Sequence, residues 1–352
     1  YNSNKDLGLG HTRLKILDLS ILSDQPMKDI SSRYTITYNG EIYNYLEIKN
    51  ELLKKGYKFR SKGDTEVVLN AFLEWGTDCD LKFNGMWAYA IWDNKLKKLF
   101  LSRDRFGVKP LYYYLNNHIF VFSSELKSFT KIKNYRPEIN TKRFSSIHKD
   151  FNREDTFLKN VFLLGPGYTL EIDKNKNFKK RKWWRTISHI SKLSKNYHNN
   201  IEEFREIFLS ACKLRLRSDV ELSTSLSGGL DSTSIVCGID YLTKNIQSFR
   251  GKFHNSFILN YVNERNSETK YAKKVIKATN SNEHIVNLEK KNLDIQEFVE
   301  ATYYQEMITG DDGIGPWMIY KNMKEKGIKV SLDGHGPDEL LGGYSDDPLI
   351  FS

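Results

Sequence analysis

The pattern of apolar and polar residues changes along this chain. From Leu7 to about Leu170, short apolar runs rich in tyrosine, phenylalanine and isoleucine alternate with turn residues, as in antiparallel sheets. Strands are predicted at Tyr34–Tyr38, Trp87–Trp92, Lys98–Ser102 and Ile119–Ser123, with a tight turn at Asn39-Gly40 after the first of them. The first half is therefore predicted to have an α+β fold with mostly antiparallel strands.

Two helices are predicted within this half. Tyr45, Ile48 and Leu52 recur at helical spacing, which predicts a helix over Tyr45–Lys55 that stops at Gly56. A second helix is expected to end at Gly76. Asp64 is interpreted as its N-terminal cap, and Glu66 in the first turn favours the positive end of the helix dipole.

The second half alternates strands with helices. Residues 173–200 are rich in lysine and asparagine, have no periodicity and are interpreted as a linker between domains at residues 1–172 and 201–352. Helices are predicted at Ile201–Arg217, Ser232–Leu242 and Glu268–Ala278, and strands at Glu221–Leu226, Ile246–Arg250 and Lys329–Leu332. Such alternation is typical of an α/β parallel sheet that binds ligands at the carboxyl ends of its strands.

Composition narrows the class of protein. The chain has 352 residues, 39% of them hydrophobic, and no apolar run of the ~18 residues that a membrane span needs. Cys79, Cys212 and Cys237 show no C-x-x-C spacing, so we expect buried packing thiols, no disulfide or zinc site, and a cytoplasmic protein. The net charge of +10 permits nucleic-acid binding, but dispersed lysines favour a solvated surface and an anionic nucleotide substrate.

The motif SGGLDS, Ser227 to Ser232, lies between a predicted strand and a predicted helix. Gly228 and Gly229 allow a tight turn, and the free N–H groups of the helix suit pyrophosphate. Asp231 would repel phosphate unless it binds Mg²⁺, so the motif predicts an ATP site with Mg²⁺ as cofactor. The structural alternative is a glycine turn whose aspartate caps the helix.

A second glycine-rich motif, DGHGPDELLGGY, spans Asp333 to Tyr344. It also follows a predicted strand, where it would form another wall of the same crevice. Asp338 and Glu339 are candidates for binding a metal or orienting an acceptor. They could equally cap a helix, and the two roles are compatible.

Several strings together resemble one family. They are GHTRLKILDLS with QPM, NGEIYNYLEI, GDTEVVLNAFLEWG, NGMWAYAIWD, LSRDRFGVKPLYYY and FSSELKSF, followed by SGGLDS and DELLGGY. The chain resembles glutamine-hydrolysing asparagine synthetases from Leu7 to Tyr344. The resemblance implies an N-terminal-nucleophile glutaminase sandwich of α+β type, followed by an α/β ATP-pyrophosphatase domain with a parallel sheet.

The resemblance implies roles for residues of the first domain. Arg13 would bind the α-carboxylate of glutamine, and Asp64 and Glu41 would bind its α-ammonium. Asn39 and the N–H of Gly40 would form the oxyanion hole. The alternative for Arg13, Glu41 and Asp64 is surface ion pairing. The family's nucleophile is an N-terminal cysteine, and no cysteine precedes Arg13, so no catalytic residue is identified and we expect a missing upstream segment. The synthetase domain is likewise expected to continue past Ser352.

In the second domain, the resemblance implies that ATP activates an acceptor carboxylate as an acyl-adenylate, which ammonia attacks with release of AMP. Asp231 and Asp338 would bind Mg²⁺. The residues expected to bind ATP or pyrophosphate are Leu226, Ser227, Gly228, Gly229, Leu230, Asp231, Ser232, Gly251, Asp333 and Gly334.

The acceptor site is expected at His335, Asp338 and Glu339. The resemblance makes aspartate the leading acceptor. His335 stands where well-characterised asparagine synthetases carry glutamate, so a sugar acid of cell-surface polysaccharide synthesis is the alternative acceptor.

A nucleic-acid-directed adenylating enzyme and a non-catalytic binding protein are further alternatives for the class of protein. The former would leave the NGEIYN string unexplained. The expected partners are the small molecules glutamine, ATP and the acceptor, without nucleic acid or membrane. The oligomeric state is open, with a homodimer among the options.

Overall fold

The structure is a computed structural model that describes residues 2–3, 7–133, 135–145, 154–247, 254–262, 268–289, 293–307 and 311–343. The chain divides into two compact units, Tyr1–Lys192 and Leu193–Ser352. No helix within these described ranges is long and apolar enough to cross a membrane.

The first unit contains most of the strands. They are β1 Asn2–Ser3, β2 Gly8–Leu9, β3 Met27–Lys28, β4 Tyr34–Ile42, β5 Gly85–Asp93, β6 Lys98–Arg103, β7 Tyr112–Leu115, β8 Phe120–Ser123, β9 Val161–Leu163, β10 Tyr168–Asp173 and β11 Phe178–Lys182. Its α-helices are α1 Tyr45–Lys54, α2 Asp64–Trp75 and α3 Thr141–Ser145. Short 3-10 helices lie at Ile21–Ser23, Gly76–Lys82, Leu126–Lys131 and Thr186–His189.

Two antiparallel sheets pack face to face in this unit. The larger has the order β11-β10-β6-β5-β4-β3, and the smaller has the order β8-β7-β9. Strand β5 alternates, so that Trp87, Tyr89 and Ile91 pack against α1 and α2, while Ala88 and Ala90 face the smaller sheet. The predicted antiparallel pattern and both predicted helices are confirmed.

The turn predicted at Asn39-Gly40 is wrong. Strand β4 runs straight through both residues, with Asn39 opposite Ala88 and Gly40 opposite Trp87 on β5. A Cβ on Gly40 would lie 2.3 Å from the carbonyl oxygen of Met86. Glycine is therefore required here because two backbones pass closely, and the chain does not reverse.

The cap predicted for α2 is also wrong. Gly63 is the N-cap, and Asp64 is the first helical residue. The buried Asp64 carboxylate instead accepts hydrogen bonds from the Tyr38 hydroxyl at 2.8 Å and from the N–H of Ile42 at 2.9 Å. The side chain of Asp64 thus joins the start of α2 to strand β4.

The stretch interpreted as a linker contains regular structure. Residues 178–182 form β11, the edge strand paired with β10. Lys179, Arg181 and Lys182 of this strand remain exposed, as is common at sheet edges because charge discourages further pairing. The interpretation of residues 173–200 as a linker is therefore wrong for residues 178–182, which belong to the larger sheet of the first unit. The first residues of α4 also fall within that stretch.

The second unit is built on a parallel sheet. Its strands are β12 Leu222–Ser225, β13 His254–Tyr261, β14 Asn282–Leu288 and β15 Val330–Ser331, in the order β14-β13-β12-β15. Its helices are α4 Tyr197–Arg215, α5 Leu230–Asn245, α6 Thr269–Thr279, α7 Ile295–Gln305, α8 Asp311–Glu325 and α9 Pro337–Leu341. All three strand pairs are parallel, which confirms the prediction for this half.

Two expectations for the second unit are wrong. Ile246 and Gln247 belong to no strand, and residues 248–250 of the predicted strand lie outside the described residues. The strand begins later, at His254. Cys79 and Cys212 are buried as expected, whereas Cys237 is exposed on α5.

One carboxyl group lies in the core of the first unit. Asp80 is fully buried and accepts hydrogen bonds from the Tyr89 hydroxyl and the Ser102 hydroxyl, each at 2.8 Å. The Trp87 indole N–H donates in turn to Ser102 at 3.1 Å. Desolvation by burial raises the pKa of Asp80 from 3.8 to about 7, because the hydrogen bonds offset only part of the cost of a buried charge.

We predict that Asp80 makes the first unit less stable as pH rises. Between pH 3.8 and about 7 the unfolded carboxyl is ionised while the folded one stays protonated, so the free energy of unfolding falls across this range and levels off above it. Asp80→Asn should remove this decline, as measured by urea unfolding at several pH values. Asp78→Asn, an exposed neighbour, is the control. Equal pH slopes for Asp80→Asn and wild type would contradict the prediction.

Candidate functional site

The first unit holds a cavity of about 450 Å³. All five residues predicted to bind glutamine line it: Arg13, Asn39, Gly40, Glu41 and Asp64. They come from separate stretches of the sequence, namely the loop before β3, strand β4 and the start of α2. The fold therefore brings the predicted set together in one place.

Alternation along β4 forms one wall of this cavity. Ile36, Tyr38 and Ile42 point to the helices and are buried, so Thr37, Asn39 and Glu41 point to the opposite face. Across the ladder, Asn39 pairs with Ala88 and Thr37 with Ala90. Because alanine is small, space for a ligand remains beside the polar side chains.

The candidate oxyanion group is Asn39. Its side-chain amide donates to the Ser124 hydroxyl at 3.1 Å, which orients the amide within the cavity lining. The backbone of the preceding residue is held by Gln25, which accepts from the N–H of Tyr38 at 2.6 Å and donates to its carbonyl at 3.1 Å. Gln25 was not predicted as a site residue, although the QPM string contains it.

Two of the cavity's carboxyl groups are buried. Glu41 and Asp64 are each 7% exposed, which argues against surface ion pairing for both. Desolvation raises the pKa of Asp64, although the hydrogen bonds from Ile42 and Tyr38 act in the opposite direction. Buried carboxyl groups facing a cavity suit a ligand that brings a positive charge or hydrogen-bond donors.

The Arg13 guanidinium is already engaged. One terminal nitrogen donates to the Ser20 carbonyl at 2.8 Å and to Asp24 at 2.9 Å, and the other donates to the carbonyls of Leu17 and Asp18. These contacts hold the loop at the rim of the cavity. Arg13 therefore does form the kind of ion pair that the structural alternative expects, since its partner Asp24 is half-exposed.

The second unit holds a separate cavity of about 560 Å³. The predicted residues that line it are Ser227, Gly229, Leu230, Asp231, Ser232, Asp333, Gly334, His335 and Asp338. Leu226, Gly228 and Glu339 do not line it, and Gly251 and Tyr344 lie outside the described residues. Leu226 is instead buried in the core beside Val236 and Ile258, because its side chain points away from the crevice.

The SGGLDS loop forms one side of this second cavity. Gly228 has a φ of +93°, and a Cβ there would lie 2.6 Å from the backbone nitrogen of Ala272 on α6. The Ser227 hydroxyl accepts from the N–H of Gly229 at 3.1 Å and lies 3.0 Å from the Ser232 hydroxyl. Helix α5 begins at Leu230, so its first turn opens on the cavity.

Asp333 organises the other side. One carboxylate oxygen accepts from the N–H of Ser225 at 2.9 Å and from the Ser331 hydroxyl at 2.5 Å, and the other accepts from the Tyr320 hydroxyl at 2.6 Å. Asp333 thereby ties the ends of β12 and β15 to α8. A Cβ on the next residue, Gly334, would lie 2.8 Å from the backbone nitrogen of Ser232, so the two motifs touch.

The candidate metal ligands are two carboxylates. Asp231 and Asp338 both line the second cavity. No group of three or more histidine, cysteine, aspartate or glutamate side chains suited to a metal occurs within the described ranges. Two carboxylates fit Mg²⁺ that is bound together with nucleotide phosphates, because magnesium takes many of its ligands from water and substrate.

Family comparisons agree with this division. Residues 1–184 match the model of the glutamine amidotransferase domain, and residues 203–349 match the model of asparagine synthase. The first unit is therefore a glutamine amidotransferase domain, and the second is an asparagine synthase domain of the ATP-pyrophosphatase type.

Individual relatives narrow the assignment. A Methanocaldococcus jannaschii protein provisionally named asparagine synthetase (glutamine-hydrolyzing) 2 is 36% identical over 98% of this chain and 68% of its own length. Asparagine synthetase (glutamine-hydrolyzing) 2 of Bacillus subtilis is 30% identical over 98% and 47%, and amidase chry2 of Gibberella zeae is 28% identical over 98% and 52%. The chain belongs to the glutamine-hydrolysing asparagine synthetase family. It spans from about half to about two thirds of the length of these relatives.

We predict that Gly40→Ala destabilises the first unit by about 1–3 kcal/mol, because the added methyl would meet the rigid backbone of β5. Gly10→Ala is the matched control, since Gly10 lines the same cavity and a Cβ there has no neighbour within 4 Å. Urea unfolding followed by tryptophan fluorescence measures the effect, because five of the six tryptophans lie in this unit. Equal stability of the two variants would contradict the close packing at Gly40.

Proposed function

We propose that this protein takes part in the ATP-dependent amidation of a carboxylate, with glutamine as the source of ammonia. The observation that carries the proposal is the convergence of the family motifs on one cavity in each unit. If these motifs had only structural roles, the motif residues of neither unit would need to line an open cavity.

The first cavity is proposed to bind glutamine in an N-terminal-nucleophile fold. The helix layer and the two packed sheets support that fold. Glu41 and Asp64 would receive the α-ammonium, and Arg13 would bind the α-carboxylate through its remaining N–H while its other contacts hold the rim loop. Asn39 and the N–H of Gly40 would donate to the oxygen that becomes negative when the side-chain amide is attacked. The attacking thiol is not assigned to any residue of this chain.

The second cavity is proposed to bind ATP. The free N–H groups at the start of α5 and the Ser227 and Ser232 hydroxyls would hold the pyrophosphate. Mg²⁺ on Asp231 and Asp338 would neutralise phosphate charge. A carboxylate is a poor electrophile until its oxygen becomes part of a good leaving group, so attack on the α-phosphate would give an acyl-adenylate and pyrophosphate. Ammonia would then displace AMP and leave an amide.

The acceptor is proposed to be aspartate. His335 and Asp338 line the cavity and would face the activated carboxylate, whereas Glu339 does not line it. The exposed His335 differs from glutamate in charge and geometry, and this difference favours testing a sugar acid as the second candidate. Both acceptors use the same activation chemistry.

The test is acceptor-dependent release of pyrophosphate by the full protein that the gene encodes, with ATP, Mg²⁺ and ammonium. We expect aspartate to drive release with asparagine as product, and Asp231→Asn to lower the rate by at least about tenfold through lost metal binding. Lys54→Met, an exposed change on α1, is the control. Turnover on a uronic acid but not on aspartate would change the acceptor. Absence of release with every carboxylate would overturn the proposed reaction.

A further inference from the structure

One side-chain hydrogen bond joins the two sheets of the first unit at the wall of the first cavity. The Asn39 amide, on β4 of the larger sheet, donates to the hydroxyl of Ser124, which directly follows β8 of the smaller sheet. Both residues line the cavity, and the two atoms lie 3.1 Å apart although 85 positions separate the residues. The fold therefore brings a hydroxyl group to the side chain that is the candidate oxyanion group.

The segment that carries Ser124 is anchored on both sides. Strand β8 ends at Ser123 and is paired with β7 along its length. The Ser123 hydroxyl accepts from the N–H of Glu125 at 3.1 Å, which closes the turn around Ser124. The 3-10 helix that follows buries Phe129 completely in the core of this unit. The Ser124 hydroxyl thus has a fixed place, from which it can direct a side chain that is itself free to rotate.

The backbone of Asn39 does not depend on Ser124. It is fixed by pairing with Ala88 on β5, and the Gln25 side chain binds both backbone groups of the preceding Tyr38. The side chain of asparagine, in contrast, has two rotatable bonds, and the second of them has broad preferences. Without a partner the amide would sample several orientations, and only some of them would point an N–H group at a ligand.

The planar amide of asparagine explains how one partner can fix the direction of a second contact. Its nitrogen carries two hydrogens in the plane of the group. When one of them is donated to Ser124, the direction of the other is set and leads away from Ser124. A donor that is oriented before the reaction stabilises a developing negative charge without reorganising at that moment.

We propose that Ser124 is a positioning residue of the first site: its hydroxyl accepts one N–H of Asn39 and thereby aims the other at the oxygen that becomes negative when the ligand's amide is attacked. The inference rests on the proposed function, in which that ligand is glutamine. This negative charge exists in the transition state and not in bound glutamine, so Ser124 acts on turnover and not on binding. The backbone N–H of Gly40, the other proposed donor, keeps its place because the pairing of β4 holds it.

The test measures the hydrolysis of glutamine by the full protein that the gene encodes, followed as release of ammonia. Ser124→Ala should lower kcat by about tenfold and leave KM within about twofold, because loss of orientation costs less than loss of an oxyanion donor. Ser124→Thr keeps the hydroxyl and should retain about half or more of the wild-type kcat. Ser128→Ala is the matched control and should leave both constants unchanged, since Ser128 is an exposed residue of the same cavity.

A double-variant cycle shows whether Ser124 acts through Asn39. Asn39→Ala should lower kcat by about a hundredfold. Adding Ser124→Ala to that variant should lower kcat by no more than about twofold further, because the group to be positioned is already gone. A further fall of about tenfold in the double variant would overturn the positioning role, as would a rise in KM with kcat unchanged in Ser124→Ala.

Two outcomes separate this inference from the proposed function. Wild type that fails to hydrolyse glutamine would remove the proposed function of the first cavity, and the inference with it. Hydrolysis by wild type that is undiminished in Ser124→Ala would instead overturn the role of Ser124 and leave the proposed function intact. Thermal melting verifies folding, and Ser124→Cys, whose sulfur accepts hydrogen bonds weakly, replaces the alanine variant if that variant melts early, with the same fall in kcat expected.

Discussion

The first site depends on the unbroken pairing of β4 with β5 through Asn39 and Gly40. The nine residues of β4 all pair with β5, and this pairing forces alternate side chains onto opposite faces. A slip of one residue would turn Asn39 and Glu41 into the core and Tyr38 into the cavity. Two side chains oppose such a slip, because the Asp64 carboxylate accepts from the N–H of Ile42 and the Gln25 side chain binds both backbone groups of Tyr38.

The second site also depends on one side chain that joins separate segments of the backbone. Parallel strands end at one edge of the sheet, and Asp333 links the end of β12 to that of β15 through the N–H of Ser225 and the hydroxyl of Ser331. Gly334 then packs against the start of α5, which a larger residue would push away. The glycines of both motifs thus serve close backbone approach as much as the turns they allow.

Local sequence signals were sufficient to predict the elements that depend on short-range patterns. Apolar spacing predicted α1, start and stop signals at Asp64 and Gly76 predicted α2, and strand–helix alternation predicted the parallel sheet. The resemblance to a family indicated five residues that line one cavity.

The prediction failed at Asn39-Gly40, because a pair of residues typical of hairpin turns is also suited to close strand packing. It failed at Asp64, whose partners Tyr38 and Ile42 are distant in sequence. Strand β11 was missed because its charged residues suggest a solvated linker.

The central claim is that each unit binds its own ligand, glutamine in the first and ATP in the second. Amide hydrogen exchange measured by mass spectrometry tests it most directly, with each ligand added alone to the chain. We expect glutamine to slow exchange in peptides covering residues 10–25 and 37–41, and ATP with Mg²⁺ to slow exchange around residues 227–232 and 333–338. Slowed exchange at residues 227–232 with glutamine, or no ligand-dependent change in either unit, would contradict it.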